Sequence, residues 1–169
     1  MLATTPCSRY RRPMADYRFV TTWCLDAPIE RVFDAIDDAA RWPQWWKGVT
    51  RAELLEPGGP DGVGRLWSYT WRSKLPYDLS FESRVTRRQP PYLLEGDADG
   101  ELIGVGRWRL FEGQATAVVY EWNVRTSRAW MNRLAPAARP LFGWNHDVVM
   151  RQGGEGLAQL LGARLLVRS

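Results

Sequence analysis

Between Val49 and Arg125 the chain alternates apolar and polar residues at every second position, a period that only β-strands convert into two distinct faces. Tyr77, Leu79, Phe81 and Ser83 alternate with Asp78, Ser80, Glu82 and Arg84. Trp108 and Leu110 alternate with Arg107 and Arg109, and Val118, Tyr120, Trp122 and Val124 with Glu121, Asn123 and Arg125. Turn-forming stretches separate these runs: Glu56-Pro-Gly-Gly-Pro-Asp-Gly62, Asp97-Ala-Asp-Gly100 and Glu112-Gly-Gln. The pattern predicts strands over 49–55, 63–72, 77–84, 92–97, 102–111 and 115–125, with Asp97–Gly100 as a hairpin turn. Within 63–72 two inner faces compete, Trp67, Tyr69 and Trp71 against Leu66, Ser68 and Thr70, and the bulk of the aromatics favours the first. The product is an antiparallel meander with one apolar and one wet face.

The apolar face needs a cover, and the flanks supply it. Tyr17–Leu25 reads as a first strand with Tyr17, Phe19, Thr21, Trp23 and Leu25 on one side. From Pro28 to Asp38, Ile29, Val32, Phe33 and Ile36 recur at helical spacing, with Asp26 as N-cap and Pro28 in the first turn. A further helical turn holds Trp42, Trp45 and Trp46. At the far end, Trp130, Met131 and Leu134 predict a short helix interrupted by Pro136 and Pro140. A longer helix follows, with Phe142, His146, Val149, Met150, Gly153 and Leu157 on one stripe and Asp147, Arg151, Glu155 and Gln159 opposite. Gly153, Gly154 and Gly156 mark a bend or a close backbone approach. The fold class is α+β: a curved seven-stranded antiparallel sheet wrapped around a long C-terminal helix, with two short helices after strand 1.

Charge and composition narrow the function. The net charge of +4 divides into +3 on residues 1–13 and +1 on the remainder, so the body offers no groove for a phosphate backbone, and nucleic acid is not an expected partner. Residues 1–13 read as a disordered basic tail, with Met14 as an alternative start, and 14–169 as one domain. No run is long and apolar enough to span a membrane. With two cysteines and one histidine there is no disulfide framework and no zinc cluster, and neither metal nor cofactor is implied. The expected location is cytoplasmic. Ten tryptophans remain to be housed, as walls or plugs of a pocket.

Ala27-Pro-Ile-Glu-Arg-Val-Phe33, followed by Trp42-Pro-Gln-Trp-Trp46, resembles the opening of the START-like (SRPBCC) helix-grip superfamily, which includes polyketide cyclase/dehydrase and lipid-transport proteins and birch-pollen allergens. Leu75-Pro-Tyr77, Gly104-Val-Gly-Arg-Trp-Arg109 and Trp144-Asn-His-Asp-Val-Val-Met150 are similar to an actinobacterial branch of the cyclase-like proteins. The resemblance spans Tyr17 to Gly162. It implies a cavity between sheet and C-terminal helix.

His146, on the apolar stripe, is the candidate for general base or ligand contact, against a plain reading as a hydrogen-bonded core-edge histidine. Helical spacing sets Asn145 and Asp147 to either side of it and predicts no His–Asp pair. Tyr69, Tyr77 and Tyr120 are candidate hydrogen-bond donors. The expected ligand-binding residues are Tyr69, Trp71, Phe81, Trp108, Tyr120, Trp122, Phe142, His146 and Met150. Arg72 and Arg107 would anchor an anion or simply mark the solvated face. Asp34, Asp37 and Asp38 read as surface charges, Gly62 and Gly64 as strand glycines, and Cys24 as a packed thiol. Three functions fit: carriage of a hydrophobic small molecule (a lipid, polyketide or aromatic metabolite), a cyclase/aromatase using His146 and a tyrosine for proton transfer, or an interaction module whose tryptophans fill the interior.

Overall fold

The computed structural model describes residues 16–168 except 73, 75 and 76, and the backbone alone for 129–138. The basic tail over 1–13 and Met14 therefore lie outside the described residues, as do Leu75, Pro76 and the side chains of Trp130, Met131 and Leu134. The strands are β1 (Asp16–Leu25), β2 (Val49–Glu56), β3 (Leu66–Arg72), β4 (Asp78–Gln89), β5 (Leu93–Gly100), β6 (Leu102–Phe111), β7 (Thr116–Thr126) and β8 (Leu165–Arg168). They form one antiparallel sheet in the order β2-β3-β4-β5-β6-β7-β1-β8. Alternation sorts the faces as expected: Tyr17, Thr21, Trp23 and Leu25 of β1 are buried, and so are Trp67 and Tyr69 of β3.

Among the described residues, three α-helices complete the fold. α1 (Ile29–Asp37) buries Ile29, Val32, Phe33 and Ile36. A 3-10 turn (Ala39–Arg41) leads into α2 (Trp42–Trp45), and α3 (Ala129–Leu161) carries the long stripe across the sheet. α3 runs unbroken through Pro136 and Pro140, where an interruption is predicted. A proline removes one backbone hydrogen bond and crowds one carbonyl, a finite cost that a 33-residue helix absorbs. The helix stops at Gly162, whose φ of 61° lets Ala163 N–H reach back to the Ala158 carbonyl at 2.9 Å. The chain then adds the eighth strand, β8, which pairs with the outer edge of β1.

Four local expectations are corrected. The Asp97–Gly100 stretch is strand, not turn, because Ala98 continues the inward alternation opposite Ser83 and the chain reverses only at Glu101. Asp26 does not cap α1; its carboxylate pairs with Arg164 at 2.8 Å, and Pro28 occupies the cap position with no side-chain cap. Gly62 and Gly64 lie in the turn before β3 with φ of 80° and 83°, a conformation glycine adopts without a Cβ penalty. Asp37 is half-buried and ion-paired, as described below.

Of the two readings of the α3 glycines, close approach holds. A Cβ on Gly153 would stand 2.4 Å from Trp46 Cε2, and one on Gly156 would stand 1.8 Å from the Trp45 carbonyl oxygen. Trp46, only 1% exposed, also donates its indole N–H to the Val149 carbonyl at 2.9 Å. Gly143, on the same helix, has nothing within 4 Å of its Cβ position. Gly156→Ala is therefore expected to lose about 1–3 kcal/mol through overpacking, and Gly143→Ala to gain roughly 0.5–1 kcal/mol of helix stability. Urea unfolding of the two variants checks both, and a neutral Gly156→Ala would refute the contact.

Candidate ligand-binding site

The N-terminal part of the α3 stripe reaches β1 through larger side chains, His146 stacking on Phe19 and Phe142 meeting Tyr17 edge-on. Between helix and sheet lies a cleft of about 130 Å³. Phe142, Asn145, His146, Val149 and Met150 line it from the helix, and Tyr17 and Phe19 from β1. Trp71, Tyr77, Leu79 and Phe81 close it on the β3–β4 side, and Leu102, Tyr120, Trp122 and Val124 on the β6–β7 side. No Asp, Glu, Lys or Arg is among the described residues lining it.

A second, deeper hollow of about 60 Å³ lies further along the sheet, against Trp42, Trp67, Tyr69, Leu94 and Trp108. Four residues form a layer of rings that lines both hollows: Trp71, Phe81, Tyr120 and Trp122. That layer is tightly held. Tyr120 stacks on Trp108 at 3.9 Å, and Phe81 meets Trp122 at 5.6 Å. Gly106, paired with Trp122 across the ladder, makes room for the indole, since a Cβ there would come within 2.9 Å of its Cζ3.

Each expected binding residue lines one or both hollows. Phe142, His146 and Met150 line the cleft, Tyr69 and Trp108 the deeper hollow, and Trp71, Phe81, Tyr120 and Trp122 both. Tyr17, Phe19, Tyr77, Asn145 and Val149 join the cleft without being among those nine. Tyr17 and Phe19 were legible as inward residues of β1, but nothing in one sequence reveals which end of the strand meets the gap. Asn145 carries no periodic signal; it is buried, and its side-chain oxygen accepts the Lys74 backbone N–H at 3.3 Å.

His146 stacks flat on Phe19 at 4.1 Å, and neither ring nitrogen has a hydrogen-bond partner. Contrary to the spacing argument, Asp147 Oδ1 comes to 3.5 Å from Nδ1, but from an exposed side chain and without hydrogen-bond geometry. The hydroxyl of Tyr17 and the indole N–H of Trp71 are likewise buried and unpartnered. Burial raises the pKa of Tyr17, Tyr69 and Tyr120 and takes Tyr77 to about 12, so all four are protonated phenols at neutral pH.

The candidate anion anchors are engaged elsewhere. Arg72 pairs with Asp78, and Arg107 with Glu95 and Glu121, on the outer face of the sheet. Asp37 is not a surface charge: it takes Arg65 and, at 3.0 Å, Arg88, with its side chain 12% exposed. This cluster borders the deeper hollow through Asp37 and Arg65. Cys24 is free and half-buried. A third hollow of about 340 Å³, between α1 and the end of α3, contains no predicted site residue.

Burial holds the His146 imidazole below its ordinary pKa, and Asp147 offsets part of that. The unfolded chain takes up this proton near pH 6.5, before the folded chain does. The neutral ring therefore contributes its full stability above about pH 6.5 and loses it as pH falls toward the folded value. Between about pH 7.5 and 5.5 the urea midpoint of the wild type should fall further than that of His146→Asn. Equal falls would mean that the imidazole is not desolvated.

Residues 17–165 match the family described as polyketide cyclase / dehydrase and lipid transport. No curated protein matches the sequence. Among solved structures, the di-domain ARO/CYC BexL from the BE-7585A biosynthetic pathway superposes with a TM-score of 0.70 at 23% identity, covering 88% of this chain and 51% of that one. The chain thus spans about half the length of that protein. The Zhui aromatase/cyclase from Streptomyces sp. R1128 superposes at 0.68 with 15% identity over 89% and 94% of the two chains. Ara h 8.0201 does so at 0.58 with 9% identity over 87% and 98%. At these identities the superpositions speak for the fold, and they carry the same helix-grip architecture. With the family match covering all but the ends of the sequence, the chain belongs to the polyketide cyclase/dehydrase and lipid transport family.

Proposed function

We propose that this chain binds a hydrophobic small molecule in the cleft between α3 and the sheet. One observation carries the reading: an apolar cleft whose lining residues include three with buried polar atoms that have no hydrogen-bond partner, Tyr17, Trp71 and His146. Buried polar groups without partners are uncommon in folded proteins, and apolar walls with a few polar groups characterise ligand pockets. The existence of two hollows argues against a fully filled interior. Nucleic acid remains an unfavoured partner, since Arg107 and Arg109 are neutralised by Glu95 and Glu121 on the outer face. No helix of the described residues is long and apolar enough to cross a membrane, and the free Cys24 suits a cytoplasmic setting.

A second reading, cyclase-type catalysis, is favoured by His146 alone. An unpartnered neutral imidazole beside phenolic hydroxyls is suited to take a proton from a methylene between two carbonyls while a tyrosine hydroxyl steadies the enolate oxygen. Tyr77 or Tyr120 would supply that hydroxyl. Unchanged turnover of a poly-β-ketone mimic by His146→Ala would remove this reading and leave binding intact.

Titration with N-phenyl-1-naphthylamine, an uncharged fluorescent probe, tests the primary reading. One probe per chain is expected, and Met150→Trp, which fills the cleft, should abolish binding while leaving the far-ultraviolet spectrum unchanged. Probe binding unaffected by Met150→Trp would place the site elsewhere.

A further inference from the structure

The deeper hollow has a polar floor for which hydrophobic binding in the cleft has no use, and the step below rests on that binding. Trp122, Gly106, Gly96 and Val85 stand side by side across β7, β6, β5 and β4, so two neighbouring positions of this inward row carry no side chain. Beside the Trp122 indole, hydroxyl groups turn over the gap. A Cβ on Gly96 would stand 2.9 Å from Ser83 Oγ, and one on Gly106 would stand 3.0 Å from the Tyr120 hydroxyl oxygen. Tyr69, on β3, lines the same hollow.

The hydroxyls of Ser83, Tyr69 and Tyr120 form no hydrogen bond among the described residues. The Tyr17 hydroxyl and the Trp71 N–H are sealed even from water, whereas these three oxygens keep accessible surface. The charged residues of the lining are already paired, Asp37 with Arg65 and Glu95 with Arg107, so the hydroxyls are the polar groups left to meet a guest. Each O–H is a donor, and a carbonyl oxygen has two lone pairs with which to accept. The Arg65 guanidinium acts on the Tyr69 hydroxyl more strongly than the Asp37 carboxylate, which favours an electron-rich oxygen nearby.

The hollow, at about 60 Å³, is far below the roughly 150 Å³ of an apolar cavity that admits benzene. It takes no ring, but at the same volume per atom it takes a group of about three non-hydrogen atoms. Trp71, Phe81, Tyr120 and Trp122 line both hollows, which sets this space next to the cleft.

We infer that the deeper hollow seats a carbonyl group, of acetyl size, on the guest whose body lies in the cleft. The carbonyl oxygen rests over the Gly96–Gly106 gap and accepts from the hydroxyls of Ser83 and Tyr120.

Two ligands of one shape test this on the full chain: 4-methoxyacetophenone, labelled with carbon-13 at the carbonyl, and 4-isopropenylanisole, in which a methylene replaces the carbonyl oxygen. Infrared difference spectra should place the bound carbonyl stretch below its position in hexane. Ser83→Ala and Tyr120→Phe each remove one hydroxyl. By isothermal titration calorimetry each should weaken the ketone about 2- to 10-fold and leave the alkene within about twofold, which also shows that the variant is folded. Each should also raise the bound carbonyl stretch. A stretch at its hexane position, or one that neither variant moves, would overturn the inference and leave those hydroxyls to bound water. Equal weakening of ketone and alkene would do the same. If neither ligand binds while N-phenyl-1-naphthylamine does, the seat falls and hydrophobic binding stands; if all three fail, both fall.

Discussion

The fit of Trp46 against the glycine face of α3 sets the position of everything else. An indole can approach a helix axis this closely only where the helix presents no Cβ, and Gly153 provides that place. The indole N–H then reaches the Val149 carbonyl, so one side chain fixes both the distance and the rotation of the helix. Trp23 stands over Gly154 and the Trp45 carbonyl over Gly156 in the same manner. Around Trp46 the other rings gather edge to face: Trp71 at 4.9 Å, Trp23 at 5.6 Å and Trp108 at 6.1 Å. The glycines that weaken α3 as an isolated helix are what allow it to dock.

The cleft follows from that docking. Where α3 presents glycines its backbone meets Trp45, Trp46 and Trp23 directly; toward its N-terminus larger side chains hold the helix and the sheet apart. Along α3 the contact residues pass from Gly153 and Gly156 to the larger Met150, His146 and Phe142, which line the cleft. Tryptophan thus has two roles separated by position. Trp23 and Trp46 fill space around the glycines and are nearly inaccessible, whereas Trp71 and Trp122 are half-buried because they form the wall of a hollow. The described tryptophans neither fill the interior nor line it throughout.

Much of this was legible in the sequence because it is periodic. The inward parity of β1 and β7, the four buried residues of α1 and the α3 stripe from Phe142 to Leu157 are repeats that a single chain displays. What escaped was contact between distant segments. β8 is four residues long and gains its identity only from the free edge of β1. Asp37 looks like one of three helix-end acids until β4 delivers Arg88 and the turn before β3 delivers Arg65. Continuity of α3 through two prolines depends on the length and docking of the whole helix, whereas the sequence shows only the local penalty. The nine expected site residues all line hollows because they are inward-facing aromatics and helix-stripe positions, yet the ring layer that two hollows share was invisible. It depends on Gly106, which matters only for the ring that lies across from it.

The distribution of charge completes the argument from fold to chemistry. Glu95, Arg107, Glu121 and Arg109 satisfy one another on the outer face, and Asp37 holds Arg65 and Arg88 at the rim of the deeper hollow. These charges therefore have opposite partners, and no Asp, Glu, Lys or Arg is among the described residues that line the cleft. In such a dry space the titratable groups take their neutral forms, phenols protonated and imidazole unprotonated. The same neutrality joins the two proposed readings: for an unprotonated imidazole among protonated phenols, orienting a carbonyl and acting as a general base differ only in whether an acidic C–H is held against it.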